Sequence, residues 1–261
     1  MTYINFKDIP KHIGISDGDK IFVSSDIKKL AFACYSNRES FNTDLFIDSL
    51  IDAVGENGTL VFPTYNWGFC KGDTFDYLKT KSKVGSLTNA ALKRMDFRRT
   101  MHPIYSFAVR GKDAEALCAL NNKSSFGADS PFAYFYEKGF KNLFIDVDYK
   151  NSATFVHYCE EKNGVSYRFI KDFTADYIDE TGASEHRTYS MYVRPLDVDV
   201  TVTINPMHEV FLVNGAVEEY IINSILFKIL DMRKAYNLVE QDILHNKSKR
   251  IAIYPGQNDQ D

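Results

Sequence analysis

The chain has 261 residues, 44% of them apolar and 25% charged, with a formal net charge of −4. That length supports one large core or two small ones, and the balance is that of an ordinary globular protein. The mild acidity, with no basic run beyond Lys28-Lys29 and the Lys247-Ser-Lys249-Arg250 cluster, excludes a nucleic-acid footprint, and no run of about 18 apolar residues offers a membrane span.

The four cysteines, Cys34, Cys70, Cys118 and Cys159, form no C-x-x-C pair, so no structural zinc site is expected. The opening segment is mixed, without the basic and apolar regions of a secretory signal, and a cytoplasmic protein with reduced thiols is expected.

Residues 20–24 read as a strand. Asn42 is a candidate N-cap for a helix with an apolar stripe of Phe46, Ile47, Leu50, Ile51 and Val54. Asp44, Asp48 and Asp52 face away, and Gly55 ends it. A buried strand follows at 58–64, a helix at 84–95, an extended segment at 106–110, short helices at 113–120 and 131–137, and a strand at 142–146. The helix carrying His157 comes next. This alternation predicts an α/β fold with a central, mostly parallel sheet flanked by helices. After Gly164, strands at 172–178 and 187–193 enclose the turn Glu180-Thr-Gly182-Ala and read as a hairpin, part of a β-rich region at about 170–204. A C-terminal helix is expected at about 219–237 and a frayed polar tail at 257–261. No linker or repeat divides the chain, so 1–261 reads as a single α/β domain.

The densest chemistry is in Thr154-x-x-His157-x-x-Glu160-Glu161. At roughly 100° per residue these four share one helix face, which carries a hydroxyl, an imidazole and two carboxylates. The preceding strand places the helix after a strand's carboxyl end, where open α/β sheets build their sites. A lone histidine here would read as a core residue; with three polar neighbours on its face the functional reading is favoured. His157 and Glu160 at i, i+3 also match half of a carboxylate-bridged di-metal site, but the second such helix is missing, so no metal is expected. Cys159 points to the apolar side with Phe155, as a buried thiol and not a nucleophile would.

Two further clusters stand out. Arg98-Arg99-Thr-Met-His102-Pro103-Ile-Tyr-Ser106 is either a solvated basic loop or an anion-recognising one. Ser24-Ser25-Asp26-Ile-Lys28-Lys29 lies where a strand ends, and offers either an ordinary helix cap or a phosphate site. No G-x-G-x-x-G, P-loop or G-x-S-x-G motif is present. His208-Glu209 lacks the second histidine of a zinc peptidase, because position 212 is Leu.

Taken in order, Gly58-Thr-Leu-Val-Phe-Pro63-Thr64, Arg98 to Ser106 with its His102-Pro103 core, Phe126-Gly127-Ala-Asp-Ser130-Pro131 and Thr154-x-x-His157-x-x-Glu160 resemble the aminoglycoside 3-N-acetyltransferase family, also called the antibiotic N-acetyltransferases. The resemblance runs from about Gly18 to Asn237. It implies acyl transfer from a coenzyme A thioester, acetyl or longer, to a primary amine of an amino sugar, on a fold distinct from the GNAT acetyltransferases. Mapped by motif, His157 is the general base, Glu160 its acidic partner and Thr154 their neighbour. Ser24, Ser25, Lys28, Lys29, Ser106 and Phe126 are expected at coenzyme A, and Thr64, Arg98, Arg99, His102 and Glu161 at the acceptor. The chain departs from the family at Ser24, where a histidine is common, and at Arg99-Thr100-Met101, where a longer glycine-containing stretch is usual.

An imidazole with an ordinary pKa of about 6.5 suits proton removal near neutrality, and a carboxylate beside it fixes its tautomer. Glu160 and Glu161 both qualify from the sequence. Thr154, Ser106 and backbone N–H groups are candidates for the carbonyl oxygen. Arg98, Arg99, Arg168 and the many aromatics, 16 Tyr and 20 Phe, favour a nucleotide-linked 3-amino-3,6-dideoxyhexose as acceptor. An aminoglycoside is the alternative, with Asp176, Asp179 and Glu180 as acidic contacts. A carbohydrate-binding protein that kept the fold without turnover is the competing class. No nucleic-acid or membrane partner is expected; the oligomeric state is open, a homodimer being one option.

Overall fold

The computed structural model describes residues 2–197 and 199–254; the polar tail expected at 257–261 lies outside the described residues. In chain order, β1 (Lys20–Ser25) leads to α1 (Lys28–Ser36), α2 (Thr43–Val54), β2 (Thr59–Pro63), a short β3 (Phe75–Asp76), α3 (Ser86–Lys93), β4 (Arg98–Arg99) and β5 (Phe107–Gly111). Then come α4 (Ala114–Cys118), α5 (Pro131–Lys138), β6 (Lys141–Ile145), α6 (Tyr149–Ser152), α7 (Val156–Lys162) and the long hairpin β7 (Phe169–Ile178) and β8 (Ser184–Val193). The chain continues through β9 (Thr201–Val202), α8 (His208–Val213), β10 (Val217–Ile222), β11 (Ile225–Asp231), α9 (Met232–Asn246) and β12 (Ala252–Ile253).

Seven strands form the central sheet in the order β10-β11-β6-β1-β2-β5-β4. β1 pairs in parallel with β2 and β6, while β11 and β5 run antiparallel to their inner neighbours. The edge strands β10 and β4 reverse again, so five of the seven strands share one direction. Side chains alternate across this sheet as the strand period of two requires. Ile21, Val23, Leu60, Phe62, Leu143 and Ile145 enter one core, and Phe22, Val61 and Phe144 the other. α2 and α3 cover the first face through Phe46, Ile47, Leu50, Leu87 and Ala91. α5, α7 and α9 cover the second through Phe132, Phe135, Val156, Cys159, Ala235 and Val239. Each of the larger side chains among these, the Val, Leu, Ile and Phe, contributes roughly 1.5–3 kcal/mol by leaving water.

The helix expected at about 219–237 is a correction. Residues 217–231 form the hairpin β10–β11, and the helix begins only at Met232, where the Asp231 carboxylate accepts from the N–H groups of Arg233 and Lys234. The hairpin turns through Asn223 and Ser224 at φ of 52° and 64°. A two-residue turn of this hand suits hairpin twist, but it normally announces itself with Asn-Gly. Here Asn223 is held by its side chain, which accepts from Ile4 N–H and donates to the Ile4 carbonyl.

The carboxyl ends of the parallel trio deliver Ser24-Ser25, Pro63 and Ile145 to one edge of the sheet, as the switch-point geometry of α/β folds predicts. Among the described residues no helix is long and apolar enough to cross a membrane.

Candidate active site

After β6 the chain turns at Asp146, whose φ is 52°. Asp148 then caps the single turn α6 by accepting from Asn151 N–H at 3.0 Å. α7 starts at Val156, so Thr154 sits just before it, its carbonyl accepting from His157 N–H at 3.1 Å. His157 Nδ1 and Glu160 Oε2 are 2.7 Å apart. Glu160 is fully buried, while the His157 side chain keeps a quarter of its surface exposed. The open question between Glu160 and Glu161 is thereby answered in geometry: Glu161 turns away and accepts from Ser124 Oγ at 2.7 and 2.8 Å.

Burial pushes Glu160 upward, but the hydrogen bond from His157 and the charge of Arg168 help outweigh it and hold the carboxyl below its usual range. Burial lowers the His157 pKa, against the opposing hydrogen bond to Glu160, so the ring is neutral at neutral pH. An ionised Glu160 can only accept; Nδ1 therefore carries the proton and Nε2 presents its lone pair. Phe126 backs the imidazole edge-on, its ring centroid 5.1 Å away.

His157 lines a cavity of about 590 Å³. Ser24, Ser25, Lys28 and Thr154 line it too. Lys83, Lys150, Gly85 and Ser86 add two more ammonium groups and the N-terminus of α3, against one carboxylate, Asp26, which is itself paired with Lys28 at 3.2 Å. Val84, Leu87, Val147, Val156, Val202 and Ile204 make the walls apolar. Tyr65 also lines it, with a buried hydroxyl that has no hydrogen-bond partner among the described residues. A cationic mouth over apolar walls fits a polyanion with a long, weakly polar arm, which is the shape of coenzyme A.

Several expected site residues do not line this cavity. Lys29 is paired with Asp146 at 2.8 Å, and Phe126 is packed behind His157. Thr64 and Ser106 are fully buried and bonded to each other at 2.8 Å. Arg99 is buried, donating to Ser106 Oγ at 3.1 Å and to the carbonyls of Tyr77, Thr80 and Thr64. Burial lowers its pKa to about 10. His102 is buried with Nδ1 accepting from the N–H groups of Ile104 and Tyr105, and burial drives its pKa down to about 3. Arg98 is exposed on β4. Of the three arginines offered for a nucleotide-linked acceptor, Arg99 is thus spent on the scaffold, and Arg168 Nε lies 2.8 Å from Glu160 Oε2. The carboxylates offered for an aminoglycoside stand at the tip of the β7–β8 hairpin, where Asp176 contacts His186 and Asp179 holds Thr181.

Sequence reasoning missed Tyr65, Lys83, Lys150 and the pairing role of Arg168. Gly85-Ser86 ahead of Leu87 and Ala91 is a legible helix start, since Gly85 takes a φ of 116° that disfavours other residues. Arg168 gives no local signal: it reaches Glu160 from eight positions away, after the chain has turned at Gly164 with φ 59°. Among the described residues no group of three His, Cys, Asp or Glu is arranged to hold a metal.

The profile of the family described as aminoglycoside 3-N-acetyltransferase matches residues 22–243. No curated protein sequence matches the chain. Among solved structures, AAC-IIIb in a binary complex with CoASH is similar at 17% identity and a TM-score of 0.77, covering 96% of this chain and 98% of that one. AAC-VIa bound to sisomicin is similar at 16% identity and a TM-score of 0.75, covering 94% and 99%. YokD from Bacillus subtilis is similar at 18% identity and a TM-score of 0.74, covering 92% and 98%. At these identities the likenesses establish the fold, which differs from that of the GNAT acetyltransferases.

Proposed function

The chain belongs to the aminoglycoside 3-N-acetyltransferase family and is an acyl-CoA-dependent N-acyltransferase; on that premise we propose that it acylates a primary amine of an aminoglycoside-type amino sugar, with His157 as general base and Glu160 as its partner. One observation carries the residue assignment: a buried, ionised Glu160 on Nδ1 leaves the Nε2 lone pair of a neutral imidazole beside the cationic cavity. Lys28, Lys83 and Lys150 are the groups that would meet the donor's phosphates, and the apolar walls its arm.

Coenzyme A supplies the acyl group as a thioester, already activated. The chain has to place it, accept a proton and steady negative charge. His157 Nε2 takes the proton from the attacking amine as the C–N bond forms. His157 then returns it to sulfur as the C–S bond breaks, so the products are an amide and a free thiol. Thr154 and Tyr65, two of the hydroxyl-bearing residues that line the cavity with His157, are the groups we assign to the carbonyl oxygen.

The acceptor rests on three arguments. The family is described by aminoglycosides, and AAC-VIa holds sisomicin in its structure. The nucleotide-sugar alternative, in turn, has lost two of its three arginines to internal pairing. Thiol release from acetyl-CoA tests it, with sisomicin in one arm and a nucleoside-diphosphate amino sugar in the other. Release with sisomicin alone is expected. Release with the nucleotide sugar alone overturns the acceptor, and release with neither supports a carbohydrate-binding protein without turnover.

A further inference from the structure

Glu160 is a carboxylate with no exposed surface, and its Oε2 faces two groups at once: His157 Nδ1 at 2.7 Å and Arg168 Nε at 2.8 Å. Arg168 is itself tied down, its Nη1 donating to the Tyr192 carbonyl on β8 at 3.2 Å. Its side chain is only 9% exposed. The other groups facing the trio are the phenols of Tyr105, Tyr167 and Tyr192 and the thiol of Cys159. Burial raises the pKa of all four, so they are neutral. The fixed charges are therefore one carboxylate and one guanidinium.

A buried carboxylate needs a counter-charge. Without Arg168 the nearest one available is a protonated His157, and an imidazolium cannot accept a proton from an amine. We propose that Arg168 is a positioning residue for acyl transfer: it balances the Glu160 charge from the side away from the cavity, so that His157 stays neutral while Glu160 still fixes its tautomer. The placement supports this, because Arg168 reaches the same oxygen as His157 yet does not line the cavity. Nearby, Glu160 Oε1, the Tyr167 hydroxyl and Arg168 Nε itself are buried without hydrogen-bond partners among the described residues, so Arg168 meets the carboxylate through charge at close range and not through a formed hydrogen bond.

The inference rests on His157 being the base, and its test separates the two ideas. Nitrogen NMR of the histidine rings, titrated with pH in the full chain and assigned by the signal lost in His157→Asn, reads the imidazole without any acceptor. In Arg168→Met the His157 midpoint is expected to rise by at least about one pH unit, a tenfold change in proton affinity. In Arg168→Lys, which keeps the charge, it is expected to stay within about 0.3 unit of the parent value. Thiol release from acetyl-CoA with sisomicin at pH 7 is expected to fall at least about tenfold in Arg168→Met and to recover in part at pH 9. Should Arg168→Met not fold, Arg168→Gln, neutral but still a donor, carries the same measurement. An unmoved midpoint in a folded neutral variant overturns the proposal even if His157→Asn is inactive. A fully active His157→Asn overturns the base assignment instead, whatever the titration shows.

Discussion

Two stretches of this chain use the same chemical alphabet. The segment from Arg99 to Ser106 and the segment from Thr154 to Arg168 each hold an arginine, a histidine and a hydroxyl. In the first, His102 Nδ1 accepts two backbone N–H groups, and Arg99 feeds three carbonyls and a serine. In the second, His157 Nδ1 meets a carboxylate and Arg168 meets the same carboxylate. A histidine whose Nδ1 is consumed by the backbone braces a loop. A histidine whose Nδ1 is consumed by an anion has its other nitrogen primed as a base. Residue type does not separate the two regions; the partner of Nδ1 does.

The same substitution at both histidines is the sharpest way to break this comparison. Asparagine places its side-chain oxygen near the Nδ1 position but has no basic nitrogen. His157→Asn is expected to lower kcat by at least about a hundredfold, the lower end for losing a general base, with an unchanged melting temperature. His102→Asn is expected to keep kcat within about threefold, because the amide oxygen can still accept from Ile104 and Tyr105. Equal losses at the two positions would mean that the contrast between brace and base is wrong.

The arginines extend the contrast to stability. Arg99→Met removes the donor from the part-buried carbonyls of Tyr77 and Thr80, takes one of two side-chain donors from the buried Thr64 carbonyl, and removes a cation seated over the Phe75 ring at 4.6 Å. Unfolding in urea should show a loss of roughly 2–4 kcal/mol, with turnover per folded molecule retained. A loss of turnover at full stability would move Arg99 from the scaffold to the site.

How much of this was legible in the sequence follows from what each signal depends on. The parallel trio and the stripe of α2 were readable because buried strands and amphipathic helices impose their own period on Ile21 to Val23, Leu60 to Phe62 and Phe46 to Val54. The β10–β11 hairpin was not, because its turn uses Asn223-Ser224 in place of a glycine and borrows Ile4 from the other end of the chain. The His157–Glu160 pair was visible as a spacing, and the preference for Glu160 over Glu161 needed the Ser124 loop that captures the second carboxylate. Arg99, His102 and Thr64 were expected at the acceptor and Ser106 at coenzyme A because the family resemblance maps their motifs onto the site. Burial, which turns them inward, is a tertiary property.

Acid should reveal the difference between the histidines as a smaller effect. The folded-state pKa of His102 is about 3, well below the unfolded value near 6.5. As pH falls below 6.5 the unfolded chain takes up the proton first, so stability drains away by up to about 1.4 kcal/mol per pH unit until the folded histidine also titrates. Between pH 6.5 and 5.5 this residue alone should cost about 1 kcal/mol. His102→Asn lacks the group, so its urea stability should decline less over that interval by this amount; the lowered pKa of His157 acts equally in both proteins and cancels. Parallel declines would show that His102 is already solvated in the folded state.

The smallest effect is expected one residue from the centre of the site. Glu161 follows Glu160 on α7, yet burial raises its pKa and its carboxylate is taken up by Ser124 against the close-packed Gly127 turn. Glu161→Gln keeps an acceptor for the Ser124 hydroxyl and removes a charge that burial already disfavours. Stability should change by no more than about 0.5 kcal/mol, and kcat by less than about threefold. That outcome would place the boundary between chemistry and scaffold within a single peptide bond, set by which carboxylate the histidine and arginine can reach. A tenfold or greater fall in kcat with stability unchanged would instead bring Glu161 to the amine, and the acceptor side of the site would have to be rebuilt around the Ser124 to Asp129 loop.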